Sequence, residues 1–161
     1  MIELTDRQAA EYFRRSYVVV DGLWFMKVEE KYGFENALQL DEEVWKVLPK
    51  IQARMIMAMK GLNKGFDGLC QAIETRLYLE GFDFQLERTE NRLEVEVCRC
   101  LWHDTMVKSG RQNLSGIVGD LICRQENSVW ASELGNFAFE FGQRICQGDK
   151  KCVLKWMLVS Y

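Results

Sequence analysis

The spacing of apolar residues changes twice along this chain, from a helical period of about 3.6 residues to strict alternation. Apolar residues recur three or four positions apart up to about residue 79, and they alternate with polar residues over 82–97. Helical spacing returns over 101–110 and 114–134, and alternation returns from residue 137 onward. The resulting order of helices, hairpin, helices and hairpin predicts an α+β fold.

Each alternating segment is typical of a β-hairpin with one buried and one polar face. Thr89-Glu90-Asn91 separates the first two strands, and Gln147-Gly148-Asp149-Lys150-Lys151 separates the last two. We expect the two hairpins to form one antiparallel sheet with flanking helices, preceded by a helical N-terminal extension. We therefore interpret 1–161 as a single domain, with the extension over 1–65 and the core over 66–161.

Local signals mark where several helices begin and end. Thr5 and Gln8 form a capping-box pattern, in which each side chain satisfies the other residue's free backbone N–H. Gly33 predicts the end of the first helix, since glycine accepts left-handed backbone angles at little cost. Pro49 lacks an N–H and interrupts the second helical region, so one helix is expected before Leu48 and another from about Pro49.

The overall composition argues against several classes of protein. The 161 residues carry a net charge of −3, and the pI is about 5.3, which is atypical of nucleic-acid binders with their basic faces. The first residues contain charges and lack the apolar core of a signal peptide, and no apolar run is long enough to span a membrane. We therefore expect a cytoplasmic protein without nucleic-acid or membrane partners, whose six cysteines are more typical of thiols, metal ligands or catalytic groups than of structural disulfides.

Four of the six cysteines form the pattern that points most directly to chemistry. Cys123 lies in a predicted helix, Cys146 and Cys152 bracket the last turn, and Cys100 precedes the only histidine, His103. A short turn between antiparallel strands brings its flanking residues opposite each other, with α-carbons roughly 4.5–5.5 Å apart. That separation suits a shared metal ion or a disulfide.

The last hairpin also resembles a known family. The segment 146–156, with Cys123 upstream, resembles the C-terminal signature of the L-2-amino-thiazoline-4-carboxylic acid hydrolase-like family. That family is similar to the vinyl-reductase-type ligand-binding domains. The resemblance covers roughly 82–161, and Asp21-Gly22-Leu23-Trp24-Phe25 also looks like a helical extension found in one branch of the group.

The resemblance implies an α+β domain that binds a small molecule, in some members beside a zinc ion. In those members three cysteines and one acid hold the zinc. Carried onto this chain, the cysteines are Cys123, Cys146 and Cys152, whereas the position of the acid is occupied by Gln143. A neutral amide is a poor zinc ligand, so this chain departs from the family pattern at the fourth ligand.

Zinc prefers four tetrahedral ligands, and thiolate sulfur is a favoured one. A fourth ligand beside the three cysteines is Glu126, which lies one helical turn from Cys123, and Cys100 and His103 are further candidates. Two other interpretations stay open: buried thiols that pack as small apolar residues, and a disulfide between Cys146 and Cys152.

Catalysis would need an activated group among these residues. His103 is a candidate base because histidine titrates near neutral pH. Cys123 is a candidate nucleophile if a cation lowers its pKa, and Arg124 lies beside it in sequence. Lys150, Lys151 and Arg144 lie near the other two cysteines of the pattern.

Our leading hypothesis is a ligand-binding domain with its pocket between the sheet and the helices. The candidate ligand-binding residues are Trp102, His103, Arg124 and Trp130. The alternative is a hydrolase of a small cyclic amidine such as a thiazoline carboxylate, with Arg124 or Arg144 holding the carboxylate.

A third hypothesis is a structural module that forms a homodimer through its N-terminal helices, residues 5–59. Within them, Met55-Ile56-Met57-Ala58-Met59 is interpreted mainly as core packing. Methionine is also common at adaptable partner surfaces, so that alternative stays open.

Overall fold

The computed structural model describes residues 3–159, and its two hairpins form one four-stranded antiparallel sheet in the order β1-β2-β4-β3. The strands are β1 Asp83–Arg88, β2 Arg92–Arg99, β3 Phe137–Phe141 and β4 Cys152–Leu158. The hairpins join through β2 and β4, where Val95 lies opposite Leu154 and Leu93 lies opposite Trp156. The predicted α+β fold is confirmed.

The helices begin and end close to the predicted signals. Over residues 3–159 the helices are α1 Asp6–Tyr32, α2 Phe34–Trp45, α3 Leu48–Lys60, α4 Phe66–Glu80, α5 Leu101–Lys108 and α6 Gln112–Leu134, with a 3-10 helix at Ile145–Gln147. The Thr5–Gln8 capping box is present at the start of α1. Pro49 occupies the first turn of α3, where its missing N–H costs no hydrogen bond. None of these helices is both long and apolar enough to cross a membrane.

The chain divides into two compact units, Met1–Asp41 and Glu42–Tyr161. In the first unit, α1 continues as one helix through Gly22, and no residue of α1 is buried. The rings of Phe25 and Phe34 pack edge to face, with centroids 6.0 Å apart.

The core of the second unit lies between one face of the sheet and helices α3, α4 and α6. The buried residues of the sheet face are Leu93, Val95, Val97, Leu154 and Trp156, and those of the helices are Ala53, Ile56, Leu69, Ala72, Ile73, Leu77, Trp130, Ala131 and Leu134. Each large apolar side chain buried here contributes roughly 1.5–3 kcal/mol. On the opposite face, Glu94 and Lys155 form an ion pair of 3.4 Å. The alternation in the sequence therefore identified the buried side of each central strand correctly.

The connection between β3 and β4 differs from the predicted tight turn. The ladder ends where the Val153 N–H donates to the Gln143 carbonyl at 2.8 Å. Beyond it, the backbone N–H of Arg144 donates to Asp149 Oδ2 at 2.8 Å, which folds 144–149 into a compact loop containing the 3-10 helix. Cys146 lies in this loop and not on a strand, so the prediction that Cys146 and Cys152 face each other across paired strands is wrong.

Candidate functional site

Four cysteines lie within electrostatic range of one another, and we call Cys100, Cys123, Cys146 and Cys152 the thiol cluster. Cys100 caps the N-terminus of α5, Cys123 lies in α6, Cys146 in the 3-10 helix, and Cys152 begins β4. Each thiol of the cluster acts electrostatically on the others. All four are free and partly buried, so the predicted disulfide is not formed.

Backbone groups and a close helix approach position these sulfur atoms. The Ile145 N–H donates to Cys152 Sγ at 3.3 Å, and the His103 N–H donates to Cys100 Sγ at 3.5 Å. A Cβ placed on Gly119 would lie 3.3 Å from Cys146 Sγ. A glycine inside a helix costs up to about 1 kcal/mol relative to alanine. Here the glycine at 119 allows α6 to approach the loop closely.

Burial controls the protonation of the thiol cluster. It raises the pKa of Cys100 to about 11 and raises that of Cys123 well above its ordinary value. Burial also raises the pKa of Cys146 and Cys152, and it outweighs the opposing effect of the Arg144 guanidinium. The four thiols are therefore protonated at neutral pH, and the cations near them do not activate a sulfur nucleophile.

These shifts predict slow alkylation of the thiol cluster. At pH 8 a thiol with a pKa near 11 is about 0.1% thiolate, against roughly a quarter for an ordinary cysteine. Cys100 should therefore react with iodoacetamide at least about a hundredfold more slowly than Cys98, which is exposed. The rate at Cys100 should keep rising with pH above 9, where an ordinary cysteine levels off. Peptide mass spectrometry after timed labelling measures both rates, and equal rates at pH 8 would contradict the inferred protonation.

The predicted metal ligands share a region but do not form a ligand set. Within residues 3–159, no three His, Cys, Asp or Glu side chains are arranged so that they could hold a metal ion. The fourth predicted ligand, Glu126, places its carboxylate 3.1 Å from Nη2 of Arg76. Zinc therefore stays a prediction, and the arrangement of the thiols does not by itself fit it.

A buried charge network adjoins Cys123. The Arg76 guanidinium pairs with Glu126 and, at 3.3 Å, with Glu80, and it donates to Asn127 Oδ1 at 3.1 Å. Burial by itself lowers the pKa of Arg76, but Glu126 and Glu80 reverse this effect, and the net shift is upward. The Asn127 side-chain amide donates to the Cys123 carbonyl at 2.7 Å, which links the network to the thiol cluster.

Sequence reasoning missed Arg76 and Asn127, although one signal for Arg76 was present. Arg76 lies on the apolar stripe of α4 that also contains Leu69 and Ile73, both fully buried. A charged residue on such a stripe must find its partners inside the core. Spacing along α4 could identify only Glu80, because the partners Glu126 and Asn127 lie on α6.

The predicted ligand-binding residues each have contacts of their own. His103 Nδ1 lies 2.7 Å from Ser115 Oγ, while the Trp102 ring packs edge to face on Trp45, with centroids 5.9 Å apart. Trp130 is fully buried, with the Arg76 guanidinium 5.5 Å from the centroid of its ring. Arg124, the fourth predicted ligand-binding residue, lies on α6 directly after Cys123.

The fold is α+β and is similar to that of a solved subunit of a protein complex. A crystal structure of trafficking protein particle complex subunit 3 from Naegleria fowleri, covalently bound to palmitic acid, superposes with a TM-score of 0.57 at 11% sequence identity. The alignment covers 94% of this chain and 98% of that subunit. At this identity the likeness concerns the fold alone.

Residues 5–151 match a family of unknown function, DUF6125, and the chain belongs to that family. The match is to DUF6125 and not to the hydrolase-like family that the last hairpin resembles. No curated protein matches the sequence significantly.

Proposed function

We propose that this chain is a small-molecule-binding domain whose ligand lies against the thiol cluster. The observation that carries the proposal is the convergence of four free, partly buried thiols from four separate elements. Protonated thiols form a soft, apolar wall. Small-molecule sites combine such walls with a few fixed polar groups, which the Arg76 network beside Cys123 supplies.

An unmatched polar atom on α6 supports this proposal. Trp130 is fully buried, and its Nε1 has no hydrogen-bond partner among the described residues. An unmatched buried donor costs about 1–3 kcal/mol, and an acceptor on a ligand would offset that cost. Trp130 is seven residues after Cys123, which places both side chains on the same face of α6 about two turns apart.

The comparison of folds also supports a small-molecule ligand. The trafficking subunit with this fold holds palmitic acid covalently. We propose that this chain uses the corresponding architecture for a ligand of its own, held without a reactive thiolate because its thiols are protonated. The hydrolase alternative would need an activated nucleophile, which the thiol cluster does not provide at neutral pH.

Native mass spectrometry tests this proposal on protein purified without chelator. We expect a co-purified molecule on the wild-type chain that is released on denaturation and is lost from Cys123→Leu, because the larger side chain would intrude on a ligand that contacts the sulfur atoms. Cys98→Ala, at an exposed cysteine, should keep the ligand. Circular dichroism checks that Cys123→Leu is folded, and Cys146→Leu is the second variant if it is not. A wild-type chain without ligand, or equal occupancy in all variants, would overturn the proposal.

Elemental analysis of the same protein tests zinc separately. Stoichiometric zinc that disappears in Cys146→Ala and Cys152→Ala would require the thiols to rearrange into a ligand set on binding. Because thiolates must lose protons to bind metal, such binding would release protons and weaken as the pH falls.

Self-association is a second candidate role, supported by an exposed apolar stripe. Exposed side chains recur three or four positions apart at Val44, Val47, Ile51, Met55 and Met59, and more than 40% of each is accessible. Only part of the methionine-rich segment packs in the core, namely Ile56 and the partly buried Met57. For Met55 and Met59, the interpretation as core packing is wrong.

A second copy of this chain fits the stripe by symmetry. In an antiparallel pair of α3 helices with its twofold axis at Ile51, Val47 of one copy faces Met55 of the other. Large side chains then oppose small ones, as interdigitated packing requires. A stripe that matches itself in shape favours an isologous dimer.

A further inference from the structure

Two arginines meet at one aromatic ring beside the thiol cluster. The guanidinium of Arg124, on α6, lies 5.0 Å from the centroid of the Phe141 ring, and that of Arg144 lies 5.1 Å from it. Both arginines also reach one carboxylate oxygen, Asp120 Oδ1. Arg124 Nη2 is 3.3 Å from this oxygen, and Arg144 Nη1 donates to it directly.

The two guanidinium groups of this arginine pair share one carboxylate. Both guanidinium groups are permanently charged, and within residues 3–159 Asp120 is the only carboxylate paired with either of them. The other acid of the loop, Asp149, is engaged with the backbone N–H of Arg144. Guanidinium donors of the pair are therefore available to a second oxyanion.

The two arginines differ in burial. The Arg144 side chain is only 16% exposed, whereas that of Arg124 is 53% exposed. A cation removed from water needs hydrogen-bonded anions to compensate for lost hydration. Arg144 therefore lies on the inner side of the pair, and Arg124 lies on the side open to solvent. Planar guanidinium groups bind carboxylate and phosphate oxygens in pairs of hydrogen bonds.

The arginine pair borders the thiol cluster. Besides the larger effect of burial, Arg144 lowers the pKa of Cys146, and Asp120 raises it, so both side chains lie within electrostatic range of that thiol. Gly119, which allows the close approach of Cys146 to α6, directly precedes Asp120. A ligand placed against the thiols therefore has the arginines within reach of one of its ends.

We propose that Arg124 and Arg144 bind a terminal oxyanion, a carboxylate or a phosphate, of the ligand that lies against the thiol cluster. This inference rests on the proposed function and names the chemical class of its ligand. Asp120 holds the two guanidinium groups together and competes with the incoming anion for them. Removing Asp120 should therefore strengthen binding, while removing either arginine should weaken it.

Titration with inorganic phosphate and with acetate, in chloride buffer and followed by amide NMR shifts of Asp120 and Phe141, tests the inference. We expect saturable binding of at least one of these oxyanions by the wild-type chain. Arg144→Gln should raise Kd at least about tenfold, corresponding to 1.4 kcal/mol. Asp120→Asn should lower Kd severalfold.

The control is Arg92→Gln, which removes an exposed arginine paired with Glu94 in another part of the sheet and should leave Kd unchanged. If Arg144→Gln is unfolded, Arg124→Gln is the substitute, because that side chain is half exposed. The absence of saturable binding for both anions, an unchanged Kd in the arginine variants, or weaker binding in Asp120→Asn would each overturn the inference.

The two proposals fail in different ways. A co-purified ligand that Cys123→Leu abolishes but Arg144→Gln retains would remove the oxyanion assignment and leave the binding function in place. Oxyanion binding at the arginines in a chain that carries no ligand at the thiols would remove the proposed function instead.

Discussion

Replacing Arg76 with methionine is expected to destabilise the protein by about 3–5 kcal/mol, the usual cost of removing one partner from a buried ion pair. The Arg76 side chain is 5% exposed, and its partner Glu126 is 9% exposed. Methionine keeps most of the side-chain volume but removes the positive charge that Glu126 and Glu80 share. Because most domains are stable by only about 5–15 kcal/mol, this single change removes a large share of the total. Urea unfolding followed by circular dichroism measures the difference.

Arg54→Met is the matched control. Arg54 is 62% exposed and pairs with Glu133 at 2.9 Å, so the same substitution there should cost less than about 1 kcal/mol. In Arg76→Met/Glu126→Gln, the second change removes one of the two neighbouring carboxylate charges and should recover part of the lost stability. Similar midpoints for Arg76→Met and Arg54→Met would show that the buried network contributes little to stability.

Replacing Ile51 with glutamate is expected to weaken self-association at least about a hundredfold, or 2.7 kcal/mol. Ile51 lies on the proposed twofold axis, so the substitution places two carboxylates against each other in a surface that must lose water on pairing. The isolated chain should tolerate the change, because Ile51 is 52% exposed. Sedimentation equilibrium at several concentrations measures the dissociation constant.

Ile117→Glu provides the comparison for that experiment. Ile117 is 53% exposed on α6, outside the stripe, so the same substitution should leave self-association unchanged. A wild-type chain that is monomeric at high concentration would exclude the dimer. Equal weakening by Ile117→Glu would place the interface elsewhere.

The two candidate roles use different parts of the second unit. The thiol cluster and the arginine pair lie on α6, the loop 144–149 and the strand ends, whereas the stripe lies on the end of α2 and on α3. Substitutions in one region should therefore have nearly independent effects on the other, as expected for distant sites without shared partners. A ligand-binding variant can accordingly be tested for self-association without ambiguity.

Much of the architecture was predictable from local chemistry. Alternation over 82–97 identified both strands of the first hairpin and the buried positions of β2. Thr5, Gly33 and Pro49 marked helix boundaries within one or two residues. These signals are local, because a cap, a glycine stop or a missing N–H acts on the turn that contains it.

The geometry of the site was only partly predictable. The sequence pattern grouped Cys123 with Cys146 and Cys152, and the fold brings them together with Cys100. The assumed route, a tight turn between paired strands, was wrong because Asp149 captures the backbone N–H of Arg144 and folds the loop. The stripe was also misjudged, because helical spacing of apolar residues does not distinguish a face against the core from a face left open.

The sequence by itself determined the types and order of the elements, since helical and strand periods follow from backbone geometry within a few residues. Only the tertiary structure decided which side chains share an environment. It placed Arg76 against Glu126 and two arginines against one carboxylate, and it surrounded the thiols with enough protein to keep them protonated. The physical reason is that desolvation and charge pairing depend on distances between elements far apart in the chain, and these distances are set only when the helices pack on the sheet.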